Sequence, residues 1–505
     1  MTQLTPMVTS ALIAIAVYTV FCLVIGLGIG YKKDVVASAS GYFLGGGTAK
    51  FVLFFTTVAT WFSTGIYQGV VGSVYKFGIG WIGISTWQLL VVSLLGVLGP
   101  RFWTLGHIRG YITPADLVSD YYRSKPFKLI MGIGMAAFCI PSMMAQIKGV
   151  SWAINGITNG FIDFKVGVLY AAAIVGLYVF FGGFRSQAWV DTAQGLLFVI
   201  VLWGSLLIVA GKSGGWNVVW DRLISTAPEV LYYKHPPEYW TWRMYVSYFI
   251  LQGCGGFFAP YVWQRSYAAK SSRDMKKIAG YMGAFFCFGV VFPVVFCGLN
   301  MHVLMPSMTN PENGLVLFMA EHSPFWGIMV TLGILAAGMS TISSILVTVS
   351  SIVAIDFIGL VKPDATSHET RNYGRIGVLV ILAFAVGLSF INLNTIMILI
   401  NLTLAGFTQI LIPVLGIFVF KRITKEGAIS GYVTGLIITF IGTAILHDPF
   451  GFMGGMWGLA ANAIICAVVS GFTKPISEEQ RKDYLAPLAH PDGNSATRDK
   501  KIKAL

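Results

Sequence analysis

Two clusters of hydroxyl-bearing residues interrupt stretches that are otherwise apolar. The first is Val58-Ala59-Thr60-Trp61-Phe62-Ser63-Thr64-Gly65, with Gly69 and Gly72 close behind it. The second is Ala336-Ala337-Gly338-Met339-Ser340-Thr341-Ile342-Ser343-Ser344. On a helix, Ser340, Ser343 and Ser344 share one face, because residues three and four apart are neighbours. Hard cations take oxygen ligands, and a hydroxyl cluster facing a few free carbonyls supplies them. A helix weakened by Ser, Thr and Gly can unwind and free those carbonyls where they line a cavity. Small residues also let helices pack closely, so spacing alone leaves both readings open.

Charged groups inside apolar stretches are costly and mark functional sites. Asp191 falls just after Ser186-Gln187-Ala188-Trp189-Val190, and Lys148 lies one turn-fragment beyond Gln146. Asp191 suits either a cation site or a salt bridge with Arg185 or another arginine. Lys148 suits outward snorkelling or a vestibule that attracts an anionic solute. Two further interruptions predict kinked or broken helices: Gly253-Cys254-Gly255-Gly256 before Pro260, and Ala405-Gly406 before Pro413. Proline at such depth needs neighbours to satisfy the carbonyl it frees. The polar residues beside these breaks, Gln252, Thr403 and Gln409, are candidates to line a cavity.

No catalytic residue is assigned. Nothing at membrane depth reads as a Ser/His/Asp set, an HExxH helix or a paired acidic motif, so the chain is not expected to be an enzyme. The six cysteines, Cys22, Cys139, Cys254, Cys287, Cys297 and Cys466, lie in apolar stretches without metal-ligand spacing. They read as small core hydrophobes.

The elements that must hold these residues follow from composition. Of 505 residues, 56% are hydrophobic and 11% charged, where a soluble domain carries about a quarter charged. The solvent for most of this chain is therefore lipid. A crossing needs ~20 apolar residues at ~1.5 Å each. Thirteen segments meet or approach this, near 7–31, 50–75, 80–104, 126–154, 165–183, 186–212, 243–268, 276–303, 324–357, 374–392, 394–420, 427–447 and 452–472. The first lacks a basic leader and a cleavage site before Lys32-Lys33, and reads as a retained helix. With the N-terminus outside, most of the 34 Lys and Arg fall on the cytoplasmic side, including Arg265 and the tail. That is the positive-inside pattern. It accounts for the net charge of +13 without a nucleic-acid partner. Residues 1–473 read as one membrane domain and 474–505 as a polar cytoplasmic tail.

Several motifs together resemble the sodium:solute symporter family. The most specific runs from Tyr178 through Gly182-Gly183-Phe184-Arg185-Ser186 to Asp191 and Gln194-Gly195. Others are Gly41-Tyr42-Phe43-Leu44-Gly45-Gly46, Gly72-Ser73-Val74-Tyr75-Lys76-Phe77-Gly78, Pro260 with Arg265, and Ala337 to Thr341. The resemblance covers about residues 7–473. It implies thirteen helices, an outside N-terminus and a leucine-transporter-like inverted repeat of five plus five helices, falling near 50–212 and 243–420.

The resemblance also implies site residues. A shared sodium site falls on the carbonyls of Ala59, Phe62 and Ala337 and the hydroxyls of Ser340 and Thr341. A second sodium site, found in some relatives, falls on Asp191, Ser340, Ser343 and Ser344. The substrate is expected beside the first site, with Thr60, Trp61, Ser63, Thr64, Gln68, Gln146, Gln252 and Gln409 as candidate contacts. Few amide and acidic groups occur at membrane depth, so a small solute such as a carboxylate fits better than a sugar. The expected function is sodium-coupled symport of such a solute by a monomer in the cell's inner, or plasma, membrane. Proton coupling through Asp191 and a non-transporting sensor stand as alternatives.

Overall fold

Apolar helices must satisfy their own backbone in lipid. The computed structural model describes residues 5–233, 236–391 and 395–489. Among these it is helical, with one isolated bridge between Thr48 and Ala269. The expected helix ends at 392 and 394, and the tail from 490 onward, lie outside the described residues.

Ten helices among the described residues are long and apolar enough to cross a membrane. The elements relevant to the site are α1 (Pro6–Gly30), α2 (Lys50–Trp61), α3 (Gly65–Arg109), α4 (Pro114–Tyr121), α5 (Lys125–Ile157) and α6 (Phe164–Lys212). They continue with α7 (Trp242–Phe258), α8 (Pro260–Ala268), α9 (Ser272–Leu304), α10 (Pro324–Val361), α11 (Ser367–Ser389), α12 (Ile396–Phe418), α13 (Lys425–Ile445) and α14 (Gly454–Phe472). A last helix, α15, spans Glu478–Leu485.

The breaks explain why ten and thirteen differ. Expected span 50–75 is cut after Trp61, which leaves α2 at 12 residues. Expected span 243–268 is cut at Ala259 into α7 and α8, of 17 and 9 residues. Conversely α6 runs for 49 residues, roughly 74 Å at 1.5 Å each, which is more than two bilayer cores. Gly183 divides it, with φ 56° and ψ −147°. Glycine adopts that conformation without Cβ strain, and a Cβ there would meet the Tyr42 carbonyl at 2.3 Å.

The two glycine-rich interruptions turn out differently from expectation. Gly253 to Gly256 lie within continuous α7, and the break follows at Ala259–Pro260. A Cβ on Gly255 would stand 2.1 Å from the Leu404 carbonyl, so this run lets α7 and α12 pack closely. Likewise Ala405-Gly406 stays helical, and the turn comes after Thr408. Small residues here serve helix contact.

Packing centres on α10. It lies against α6, α5 and α2, while α2 also packs on α6. Helices α13 and α14 form a separate antiparallel pair joined by a short turn and touch the rest mainly through α12 and α7. The six cysteines are free thiols, five buried and Cys287 half-buried.

Part of the expected tail is a docked helix. In α15, the Tyr484 hydroxyl donates to the Leu117 carbonyl (2.8 Å) and the Gln480 amide donates to the Tyr121 carbonyl (2.7 Å). Both acceptors belong to α4. The Arg109 guanidinium stacks 4.7 Å above the Tyr484 ring. Helix α4 itself starts with a capping box between Thr113 and Asp116, the usual device for satisfying orphan N–H groups.

Candidate functional site

Helix α2 ends in the middle of the protein. Phe62, with φ −87° and ψ 74°, closes it, and a wide π-type turn over Gly65–Val70 restarts the helix. Side chains replace the lost backbone partners. Thr64 donates from its N–H (2.9 Å) and its hydroxyl (2.8 Å) to Oε1 of Gln146, and the Gly65 N–H donates to Ser63 Oγ (3.1 Å). The break is therefore supported by side chains, which supply acceptors to the freed N–H groups of Thr64 and Gly65.

On the carbonyl side of the break, α10 reaches across. Ser340 Oγ lies within donating distance of the Ala59 carbonyl (2.8 Å) and, as the alternative acceptor, the Ala337 carbonyl (3.0 Å). Thr341 Oγ1 likewise reaches the Thr60 carbonyl (3.1 Å) or the Ala337 carbonyl (3.1 Å). All these residues are buried, and Phe62 is fully buried at the break. Four of the five residues expected at the first sodium site thus come together through Ser340, Thr341, Ala59 and Ala337. Phe62 is placed at the helix end beside them.

Four elements meet in a second, charged cluster just below. Asp191 on α6 is 0% exposed and Arg265 on α8 is 2% exposed. Their charged atoms stand 3.5 Å apart. The Asp191 carboxylate accepts from Thr56 Oγ1 (2.7 Å), Gln187 Nε2 (2.5 Å) and Ser343 Oγ (3.2 Å). One Arg265 nitrogen donates to Ser344 Oγ (2.8 Å), Thr56 Oγ1 (3.0 Å) and Thr60 Oγ1, while the other donates to the Tyr261 carbonyl (2.5 Å). Thr60 and Ser344 hydroxyls are themselves 2.7 Å apart. Asp191, Ser343 and Ser344 are therefore gathered as expected, and Ser340 is linked through its carbonyl, which accepts from both Ser343 and Ser344 (2.8 Å each).

Arg265, expected among the charges of the cytoplasmic side, is buried between α2, α6 and α10. Of the partners open to Asp191, Arg185 or another cytoplasmic arginine, the structure pairs it with Arg265. Thr56 and Gln187 were missed. Each looks like an ordinary polar residue on a helix until its partner is placed.

Lys148 also departs from the snorkelling reading. It is 1% exposed, and its charge interacts with Glu312 of the loop following α9. Burial holds the Glu312 carboxyl above the usual range, which neighbouring backbone N–H groups and Lys76 oppose.

Between the broken α2 and helices α3, α5, α7, α8, α10 and α12 lies a small cavity of about 80 Å³. Thr60, Trp61, Ser63, Gln252, Thr341 and Thr403 line it, so it abuts the hydroxyl cluster. Trp81, Trp87, Gln88, Ser142 and Tyr261 complete its polar and aromatic wall. No Lys, Arg, Asp or Glu lines it among the described residues. Sequence reasoning missed Trp81, Trp87 and Gln88 because an indole or amide near a helix start carries no distinctive pattern.

Four of the eight expected substrate contacts line this cavity: Thr60, Trp61, Ser63 and Gln252. Thr64 and Gln146 are instead bonded to each other. Gln68 is buried with neither amide atom partnered, and it is not among the cavity-lining residues. Gln409 ties α12 to α14, donating to the Ala405 (3.1 Å) and Gly455 (3.2 Å) carbonyls while Asn462 donates to its backbone carbonyl (2.8 Å).

A many-helix membrane protein with one helix broken beside a buried cavity has the architecture of a secondary transporter. Comparison with known proteins agrees. The chain belongs to the sodium:solute symporter family, whose model matches residues 42–435; these are transporters and not enzymes. It is 27% identical over 484 residues to a sodium/proline symporter of Staphylococcus aureus, covering 92% of each chain. It is 26% identical over 404 residues to the sodium/pantothenate symporter of Haemophilus influenzae, covering 76% of this chain and 80% of that protein. The fold is similar to the solved substrate-bound, outward-open state of a Na+-coupled sialic acid symporter, with a TM-score of 0.78, 18% identity and coverage of 92% of this chain and 98% of that one.

Proposed function

We propose that the protein is a sodium-coupled symporter that imports a small organic solute, of the class of carboxylates and amino acids, by alternating access. The observation that carries this is the hydroxyl pair Ser340 and Thr341 bonded to carbonyls Ala59 and Thr60 at the break in α2. A sodium ion would be held there by the carbonyls of Ala59, Phe62 and Ala337 and the hydroxyls of Ser340 and Thr341. The donor set is all oxygen and uncharged, which suits a weakly held hard cation. Asp191, Ser343 and Ser344 with Ser340 form a second cation site.

The solute occupies the cavity beside this cluster. Its wall is aromatic and hydroxyl-rich and lacks fixed charge. Thr60 and Thr341 belong to both the cavity and the hydroxyl cluster, so a bound cation and a bound solute rigidify the same two helices. Sodium thereby favours the state that binds solute, which is a coupling free energy and reciprocal. An inward potential of ~100 mV adds ~2.3 kcal/mol per charge moved.

Dividing α6 at Gly183 and α3 at Gly78, and joining α2 to Phe77 and α7 to α8, resolves the helices into thirteen crossings. The repeats then fall near 50–212 and 243–420, the N-terminus outside and α15 on the cytoplasmic face of a plasma-membrane monomer. Uptake into proteoliposomes at fixed pH tests the coupling: replacing external sodium with potassium abolishes accumulation. Accumulation that persists in potassium and follows a proton gradient refutes it.

A further inference from the structure

Hydrogen-bond accounting at Ser344 leaves no room for a second cation while Arg265 is in place. A serine hydroxyl has one donor and two acceptor lone pairs. Ser344 Oγ lies within hydrogen-bond distance of the Ser340 carbonyl (2.8 Å), Arg265 (2.8 Å), Gln187 (2.9 Å) and the Thr60 hydroxyl (2.7 Å). These four neighbours exceed the three bonds it can make. Oδ2 of Asp191 is similarly occupied by Thr56 (2.7 Å) and Gln187 (2.5 Å), with Arg265 at 3.5 Å. The guanidinium therefore already bonds Ser344 and stands 3.5 Å from Oδ2 of Asp191, two of the oxygens of the second cation site, and two like charges that close together in a water-poor interior repel strongly.

The arginine is placed to leave. It projects from α8, a helix of nine residues set off from α7 by the break at Ala259. Its Nε is buried without a hydrogen-bond partner, so the two terminal nitrogens make all of its hydrogen bonds. Its other contacts are a carbonyl on its own helix, Tyr261 (2.5 Å), and the Phe184 ring at 6.0 Å. Apart from the ion pair with Asp191 on α6, every remaining bond goes to hydroxyls or carbonyls of α2 and α10. These are the two helices that the first cation site joins.

We infer that Arg265 is a tethered cation that alternates with sodium at Asp191 and Ser344. When sodium is absent the guanidinium neutralises Asp191 and ties α8 to α2 and α10. When sodium enters, the arginine withdraws and that tie is released. The sodium gradient thus sets whether α8 is fastened to the broken helix. Arg265 is a positioning residue in this scheme and sets how much sodium the second site requires. The inference rests on the second cation site proposed above.

Equilibrium binding of isotopic sodium to the purified full chain tests it, with choline holding ionic strength constant. Arg265→Met removes the tethered charge, and the high-sodium part of the binding curve shifts at least tenfold toward lower concentration. Arg265→Lys keeps the charge without the planar fork and gives a smaller shift in the same direction, which serves if the Met variant does not fold. Adding Asp191→Asn to either variant cancels the gain. An isotherm for both arginine variants that overlays the wild type, or that moves to higher sodium, overturns the inference. Wild-type binding measured alongside keeps the two readings apart: a saturable sodium site in the wild type with no shift in the variants sinks only the role of Arg265, whereas no sodium binding in the wild type sinks the symport proposal itself.

Discussion

The hydroxyl of Ser340 donates to the carbonyl of Ala59 across 2.8 Å, joining residues 281 apart in the chain at the place where α2 unwinds. This bond and its neighbour from Thr341 to Thr60 are the physical link between the break and α10. They also define the first prediction. Ser340→Ala and Thr341→Ala each raise the sodium needed for half-maximal solute binding by more than tenfold. Each removes a hydrogen bond worth ~1 kcal/mol, so the folded yield changes little. Sodium titrations of solute-dependent thermal stability measure both effects.

Asp191→Asn leaves the buried Arg265 without its counter-charge. Breaking a buried pair from one side costs ~3–5 kcal/mol, and the variant's unfolding temperature drops sharply. Pairing it with Arg265→Met recovers much of that loss, because no uncompensated charge then remains. A thermal scan of the two single variants and the double variant in detergent measures the coupling.

Gly183→Ala places a Cβ where φ is +56° and where the Tyr42 carbonyl lies 2.3 Å away. Helix α6 then cannot turn at its midpoint without displacing Tyr42. The expected result is a loss of monodisperse protein on size-exclusion chromatography, with membrane insertion of the upstream helices retained.

The cavity separates contact residues from structural ones. Trp61→Ala and Gln252→Ala lower solute affinity by about tenfold or more, as expected when an aromatic or amide contact in the cavity wall is lost. Gln409→Ala lowers thermal stability instead and leaves solute affinity close to wild type, since Gln409 bridges α12 and α14. Solute titrations of the three purified variants distinguish these outcomes.

Tyr484→Ala unfastens α15 from α4, removing the bond to the Leu117 carbonyl and the stacking under Arg109. Limited proteolysis then cuts near 478–485 faster than in the wild type, while the transmembrane part stays intact.

The hydroxyl clusters were legible in the sequence because Ser, Thr and Gly are conspicuous among apolar residues, and helical spacing puts Ser340, Ser343 and Ser344 on one face. Asp191 stood out for the same reason. Arg265 did not, because it lies near the end of an apolar run where cytoplasmic charge is ordinary, and only the tertiary fold shows it turned inward. The cavity wall was half legible. Trp61 and Ser63 sit at the break that composition betrays, whereas Trp81 and Trp87 join them only through the path of α3. Helix count suffered from two opposite errors of length: a span can be cut by a short non-helical break such as Phe62-Ser63, and two spans can run together through a glycine such as Gly183.

The most direct test of sodium-coupled solute binding is a thermal-shift screen of purified protein with sugars, amino acids and carboxylates, each in sodium and in potassium. A ligand that binds the folded state raises its apparent stability. A small carboxylate or amino acid is predicted to raise the unfolding temperature in sodium and to lose that effect in potassium. Equal stabilisation in both salts, or stabilisation by sugars alone, contradicts the account.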